Sequence, residues 1–224
     1  MQIQKENYLQ VLKEVSIVKA TLVAVSKTKS IEAIRELYDL GQRDFGENYV
    51  QELVDKHARL PADIRWHFIG HLQTNKVKYI ASFVHLIHGI DSLKLLKEVN
   101  RQAAKNGRVI EVLLQMHIAK EETKFGLDEN ELEELINTDF GHELHELKNI
   151  RIAGLMGMAS FSNDEKVVRN EFKNLKKSFD KHAQLETPNF KFQILSMGMS
   201  GDYKTALQEG SNMVRIGSLL FGSR

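Results

Sequence analysis

Lys27 ends the apolar run Thr21-Leu-Val-Ala-Val-Ser26. Partial desolvation favours the neutral amine of a lysine, and a neutral amine can attack an aldehyde to form a Schiff base. The same position suits a lysine that reaches back to water or pairs with a carboxylate, and spacing alone leaves both open. A second group of residues lies near the C-terminus, in SMGMSGDY (196–203) and VRIGS (214–218). Gly198, Ser200, Gly201, Gly217 and Ser218 could form an anion cup, because glycine lets backbone N–H groups approach a phosphate closely. Tight turns would use the same glycines. Neither stretch is a P-loop, and G-M-S-G misses the nucleophile elbow by one position. Arg215 stands two residues before Gly217, so on a strand both point to one side. Buried there, its guanidinium needs an acceptor, either a ligand anion or a carboxylate such as Glu47.

The histidines are less informative. His67 and His71 are four apart on a strand-like stretch, where the helical zinc geometry does not apply. His85 and His88 bracket apolar residues, and His142 and His145 lie in a charged stretch. None has a third ligand at a suggestive spacing, so no metal site is expected. The pairs Met156/Met158 and Met197/Met199 read as barrel filling rather than a cofactor platform.

These residues need elements to position them. Short Val/Ile/Leu-rich runs alternate with amphipathic stretches, the pattern of buried parallel strands and crossover helices. Strands are expected over residues 21–27, 43–48, 65–71, 85–91, 109–119, 151–160, 192–200 and 213–222. Helices are expected over 6–19, 31–41, 49–61, 75–82, 92–107, 128–138, 164–185 and 203–210, the long one capped at Asn163 or Asp164. Eight such units predict a single (β/α)8 TIM barrel spanning residues 1–224, with an open doubly wound sheet as the alternative. The uncommon residues gather at the strand ends: Ser26-Lys27, Glu47-Asn48, His71, Met156–Met158, Ser196–Ser200 and Arg215–Ser218. In a barrel all of these ends meet on one rim.

Composition narrows the function class. The chain has 224 residues, 31 Lys+Arg against 30 Asp+Glu, and no cysteine. A net charge of +1 gives no general attraction to nucleic acid or anionic membrane. Without cysteine there is no disulfide, thiolate nucleophile or Cys-ligated metal, which suits the reducing cytoplasm. The polar start MQIQKENYLQ does not read as a signal peptide, and no transmembrane run is expected. A strand-one lysine, a phosphate cup after strands seven and eight, and an arginine between them are what holding pyridoxal 5′-phosphate (PLP) requires.

AVSKTK (24–29), FGENYVQE (45–52), WHFIGHLQTNK (66–76), GLMGMA (154–159), LSMGMSGDY (195–203) and VRIGSLLFG (214–222) together resemble the pyridoxal phosphate homeostasis family, the YggS/PROSC-like proteins. The motifs run in order along almost the whole chain. The resemblance implies a barrel like the alanine racemase N-terminal domain, with PLP bound as a Schiff base on Lys27. It places Asn48 near the cofactor ring, Ser200, Gly217 and Ser218 at the phosphate, and Arg215 beside the pyridine nitrogen. It implies vitamin B6 homeostasis without established turnover, and therefore no catalytic residue. PLP-dependent apo-enzymes are the candidate recipients. Two departures stand out: a short segment before the first strand, and Thr123 and Phe125 beside Lys124, where the family tends to carry a small residue.

The alternative is a fold type III amino-acid racemase or decarboxylase. Such enzymes place a second acid–base group opposite the lysine, on a further domain for which an all-barrel chain leaves no room, and a monomer is expected accordingly. A third possibility is an aldolase-like lysine acting on another phosphorylated metabolite.

Overall fold

The computed structural model describes residues 3–119, 125–137, 144 and 146–222. Eight parallel strands close into a barrel: β1 (Thr21–Val25), β2 (Asp44–Glu47), β3 (Arg65–Phe68), β4 (Leu86–Ile90), β5 (Ile110–Met116), β6 (Ile150–Gly157), β8 (Phe190–Ser196) and β9 (Met213–Ile216). Each pairs with its neighbour, β9 pairs with β1, and β6 pairs with β8 across a two-residue strand β7 (Glu186–Thr187). β7 pairs antiparallel with the start of β8 and was not expected, being too short to carry a periodic signal.

Strand alternation sorts side chains into two layers. Leu22, Ala24, Phe45, Trp66, Phe68 and Ile87 face outward into the larger core beneath the helices. Val23, Leu86, Leu113, Ala153, Met156 and Met213 face inward and fill the barrel. Met158 packs against this inner cluster, whereas Met197 joins the outer core and Met199 sits 37% exposed on the rim. Only half of the four methionines therefore fill the barrel. The seam between β6 and β8 is tight: a Cβ on Gly154 would lie 1.8 Å from the Ile194 carbonyl oxygen, and the register shifts there.

The outer layer comprises α1 (Lys5–Ile17), α2 (Ile31–Asp39), α3 (Val50–His57), a 3-10 helix (Thr74–Tyr79), α4 (Leu93–Lys105), α5 (Glu129–Asn137), α6 (Glu165–His182), α7 (Tyr203–Gln208) and α8 (Ser218–Phe221). Ser30 and Ser92 cap α2 and α4, and of the two expected caps for α6 the structure uses Asp164, whose side chain accepts the Lys166 N–H. Two expected elements differ. In place of a helix over 75–82 there is a 3-10 helix over Thr74–Tyr79, and the last strand ends at Ile216 rather than running to 222. There the chain turns at Gly217 into α8, which packs on α1, where the Gln4 N–H donates to the Leu220 carbonyl. Despite the short segment before β1, α1 is a full helix of 13 residues. Among the described residues no helix is long and apolar enough to cross a membrane.

Candidate cofactor site at the barrel mouth

The C-terminal strand ends surround a cleft of about 640 Å³. Lys27, Asn48, Ser200, Arg215, Gly217 and Ser218 all line it, so the structure brings together all six residues singled out in the sequence. Inward positions 23 and 25 of β1 direct Lys27 toward the same space. Lys27 is half-buried and makes no hydrogen bond or ion pair with any described residue. Its neighbour Lys29 also lines the cleft, but its Nζ donates to the Phe221 and Gly222 carbonyls (3.3 and 3.2 Å).

The loop carrying Lys27 is held on both flanks. The Lys56 Nζ donates to the Ser26 carbonyl (2.6 Å), to Glu47 (2.7 Å) and to Glu52 (2.7 Å). Glu52 in turn accepts the Thr28 N–H at 2.5 Å, and the Ser26 hydroxyl donates to Glu47 at 2.6 Å. Thr28 takes φ +62°, a strained value for a β-branched residue, directly after the lysine. Burial raises the Glu47 carboxyl to about 7 despite the opposing pull of Lys56 and Ser26. One signal of this network is local in sequence: Glu52 and Lys56 stand four apart on a helix.

Glu47 is not the partner of Arg215. Like Phe45, it faces outward from β2 toward α3, while Arg215 faces into the barrel. Arg215 is instead met by the wall: its Nη1 donates to the Ser196 carbonyl (2.8 Å) and hydroxyl (2.6 Å), and its Nη2 to the Gly157 carbonyl (3.0 Å). A guanidinium has five N–H groups, so two are left without a partner among the described residues. Burial lowers Arg215 to about 10, which leaves it charged at neutral pH.

On the opposite wall, the Ser200 Oγ accepts the Gly217 N–H (3.2 Å), linking the loops after β8 and β9 and leaving its own proton for an anion. Gly201 has open space where a side chain would stand. Gly198 plays another part: at φ +97° its missing Cβ lets α7 approach, since a Cβ would lie 2.6 Å from that of Ala206. Gly198→Ala is expected to destabilise the fold by about 2 kcal/mol, read as a lower midpoint in urea unfolding. Asn48 supplies a further polar group: its Oδ1 is buried with no hydrogen-bond partner, on the edge of the cleft.

An unpartnered amine, an orphaned amide oxygen, a hydroxyl between two glycine-bearing turns and a guanidinium with free N–H groups fit a ligand that bears an aldehyde and a phosphate. Of the remaining sequence candidates, Thr123, Lys124, His142 and His145 lie outside the described residues. Phe125 stacks on His71 at 4.2 Å between ring centroids on the rim. His67 and His85 come within 4.8 Å of Asp44 at the opposite, N-terminal mouth, a grouping that adjacent strands create and sequence spacing conceals. Both oxygens of Asp44 are engaged there by Arg65, at 2.8 and 2.5 Å.

Known proteins show the same architecture. The family model for the alanine racemase N-terminal domain matches residues 4–224. A pyridoxal phosphate homeostasis protein of Aquifex aeolicus is 43% identical over 206 residues, covering 92% of this chain and 87% of its own. PipY of Synechococcus elongatus, solved without PLP, superposes with a TM-score of 0.88 at 33% identity, covering 97% of this chain and 99% of that one. PipY with PLP bound gives a TM-score of 0.81 at 35% identity, with 91% and 93% coverage. With its motifs, its barrel and its cleft all in agreement, this chain belongs to the pyridoxal phosphate homeostasis protein family, built on the alanine racemase N-terminal domain.

Proposed function

We propose that this protein holds PLP at the barrel mouth and takes part in vitamin B6 homeostasis as a carrier rather than a turnover enzyme. The observation that carries this is the unpartnered Lys27 amine facing the same cleft as Ser200, Gly217, Ser218 and Arg215. Bound there, PLP would supply an aldehyde for the Lys27 amine to hold as a Schiff base. Ser200, Gly217 and Ser218 would receive the phosphate, Asn48 would stand beside the ring, and Arg215 would donate toward the pyridine nitrogen. The relatives named for PLP homeostasis and the PLP-bound PipY support this assignment.

Two features favour holding over turnover. Arg215 stays charged, so it donates to the pyridine nitrogen and disfavours its protonation, which weakens the ring as an electron sink. The other acid–base side chains lining the cleft, Lys29 and Asp202, each hold loop backbone. We take residues 1–224 as one domain working as a monomer in the cytoplasm, with PLP-dependent apo-enzymes as recipients.

Borohydride treatment of the PLP-loaded protein followed by peptide mass spectrometry tests the assignment. A phosphopyridoxyl group on the Lys27 peptide is expected. An adduct of another mass would point to the aldolase-like alternative. A screen of amino acids for α-proton exchange in deuterated water should detect none above free PLP. Rapid exchange of one amino acid would establish a racemase or decarboxylase instead.

A further inference from the structure

Arg215 brings a positive charge into the barrel, where burial opposes it and Asp202 on the rim loop is the carboxylate that acts on it. Its Nη1 lies 2.6 Å from the Ser196 hydroxyl, which lies 3.2 Å from the His88 Nδ1. The His88 Nε2 is 2.9 Å from the His67 Nδ1, and the His67 Nε2 is 3.0 Å from the Asp44 carboxylate. These five side chains are all buried and come from β9, β8, β4, β3 and β2. They run from the cofactor cleft through the barrel to the second opening, a cavity of about 330 Å³ lined by Asp44, His67, His85 and Arg65.

With a single proton on His67, the Asp44 end sets the direction of the chain. A guanidinium can only donate, and an ionised carboxylate can only accept. Asp44 is ionised: against burial, the hydrogen bonds from Arg65 and His67 hold its carboxyl down to about 2. His88 is neutral, because complete burial and the neighbouring His67 and Arg215 push its pKa well down. The His67 Nε2–H then donates to Asp44, and the His67 Nδ1 accepts from the His88 Nε2–H. The His88 Nδ1 accepts the Ser196 hydroxyl proton, and the Ser196 oxygen accepts from Arg215. Every group donates once toward Asp44, and no two donors or two acceptors face each other.

We propose that Ser196, His88, His67 and Asp44 are positioning residues that hold Arg215 toward the cleft, through a one-way hydrogen-bond chain anchored at the opposite mouth of the barrel. The link to cofactor retention rests on the assignment of PLP to this cleft; the chain itself does not.

Nitrogen-15 NMR of the histidine rings in the full-length protein stripped of PLP, assigned with His67→Gln and His88→Gln variants, reads the chain directly. Both His67 and His88 are expected to carry their proton on Nε2. A proton on the His88 Nδ1, or a doubly protonated His88, would overturn the proposal. In the loaded protein, Ser196→Ala should release PLP about tenfold faster or more with little change in melting temperature, and should mix the His88 tautomers. Ser196→Thr restores the hydroxyl and should return both readouts toward the original. If a folded Ser196→Ala protein held PLP as long as the original, the positioning role would be lost. If Ser196→Ala does not fold, the tautomers of the unsubstituted protein still decide the matter. Failure of PLP to bind at Lys27, with both tautomers as expected, would remove the cofactor assignment and leave the chain standing.

Discussion

Lys27→Ala is expected to abolish the visible absorbance of the PLP-loaded protein and the borohydride-fixed adduct, while the fold survives intact. Lys27 is half-buried and touches no described residue through a hydrogen bond or ion pair, so its removal should shift stability by no more than about 0.5 kcal/mol. The covalent bond has no substitute. Lys29 is the other lysine lining the cleft among the described residues, but it spans two backbone carbonyls at the C-terminal end of α8 and would have to leave both to reach the cofactor. Lys29→Ala should therefore show the reverse: the adduct remains and stability falls by about 1 kcal/mol, because two carbonyls lose their donor. Absorbance spectra, mass spectrometry and thermal melts on the two variants separate these outcomes. An equally coloured Lys27→Ala protein would show that another amine carries the cofactor.

The contrast between neighbours Lys27 and Lys29 shows what the sequence could and could not convey. The barrel was legible because its strands are buried on both faces and read as apolar runs, and because a polar or glycine-rich residue ends nearly every one. The six cleft residues were legible for the same reason, since strand ends are where a barrel gathers its chemistry. What failed needed knowledge of facing. Glu47 is one residue from Asn48, yet alternation along β2 turns it outward to Lys56. The chain from His67 to His88 spans 21 positions in sequence, and the register of β3 against β4 brings them together. No local spacing encodes that register. The stretch from Gly217 to Gly222 is apolar enough to continue a strand, but its leucines seat on α1 and the backbone winds to follow them.

Replacing Lys56 should expose how much the lysine loop depends on charge beneath it. Lys56 is 4% exposed and Glu47 fully buried, with its Oε2 unpartnered. Breaking a buried pair by removing one partner costs about 3–5 kcal/mol, because the charge left behind has neither water nor counter-ion. Lys56→Met keeps the volume and should incur that loss, but unevenly with pH. The folded-state value of Glu47, about 7, already lies above its ordinary 4.5. Its contribution to stability is therefore complete below pH 4.5 and declines as pH rises through about 7. Without Lys56 the carboxyl rises further, so the decline should extend past neutrality. The melting temperature of Lys56→Met should fall well below that of the parent at pH 8 and approach it at pH 5, where Glu47 binds a proton. Adding Glu47→Gln removes the stranded charge and should recover most of the loss at pH 8. An equal deficit at pH 5 and pH 8 would instead assign the loss to the contacts of Lys56 with the Ser26 carbonyl and Glu52, which flank Lys27 and would then be the main support of the cofactor loop.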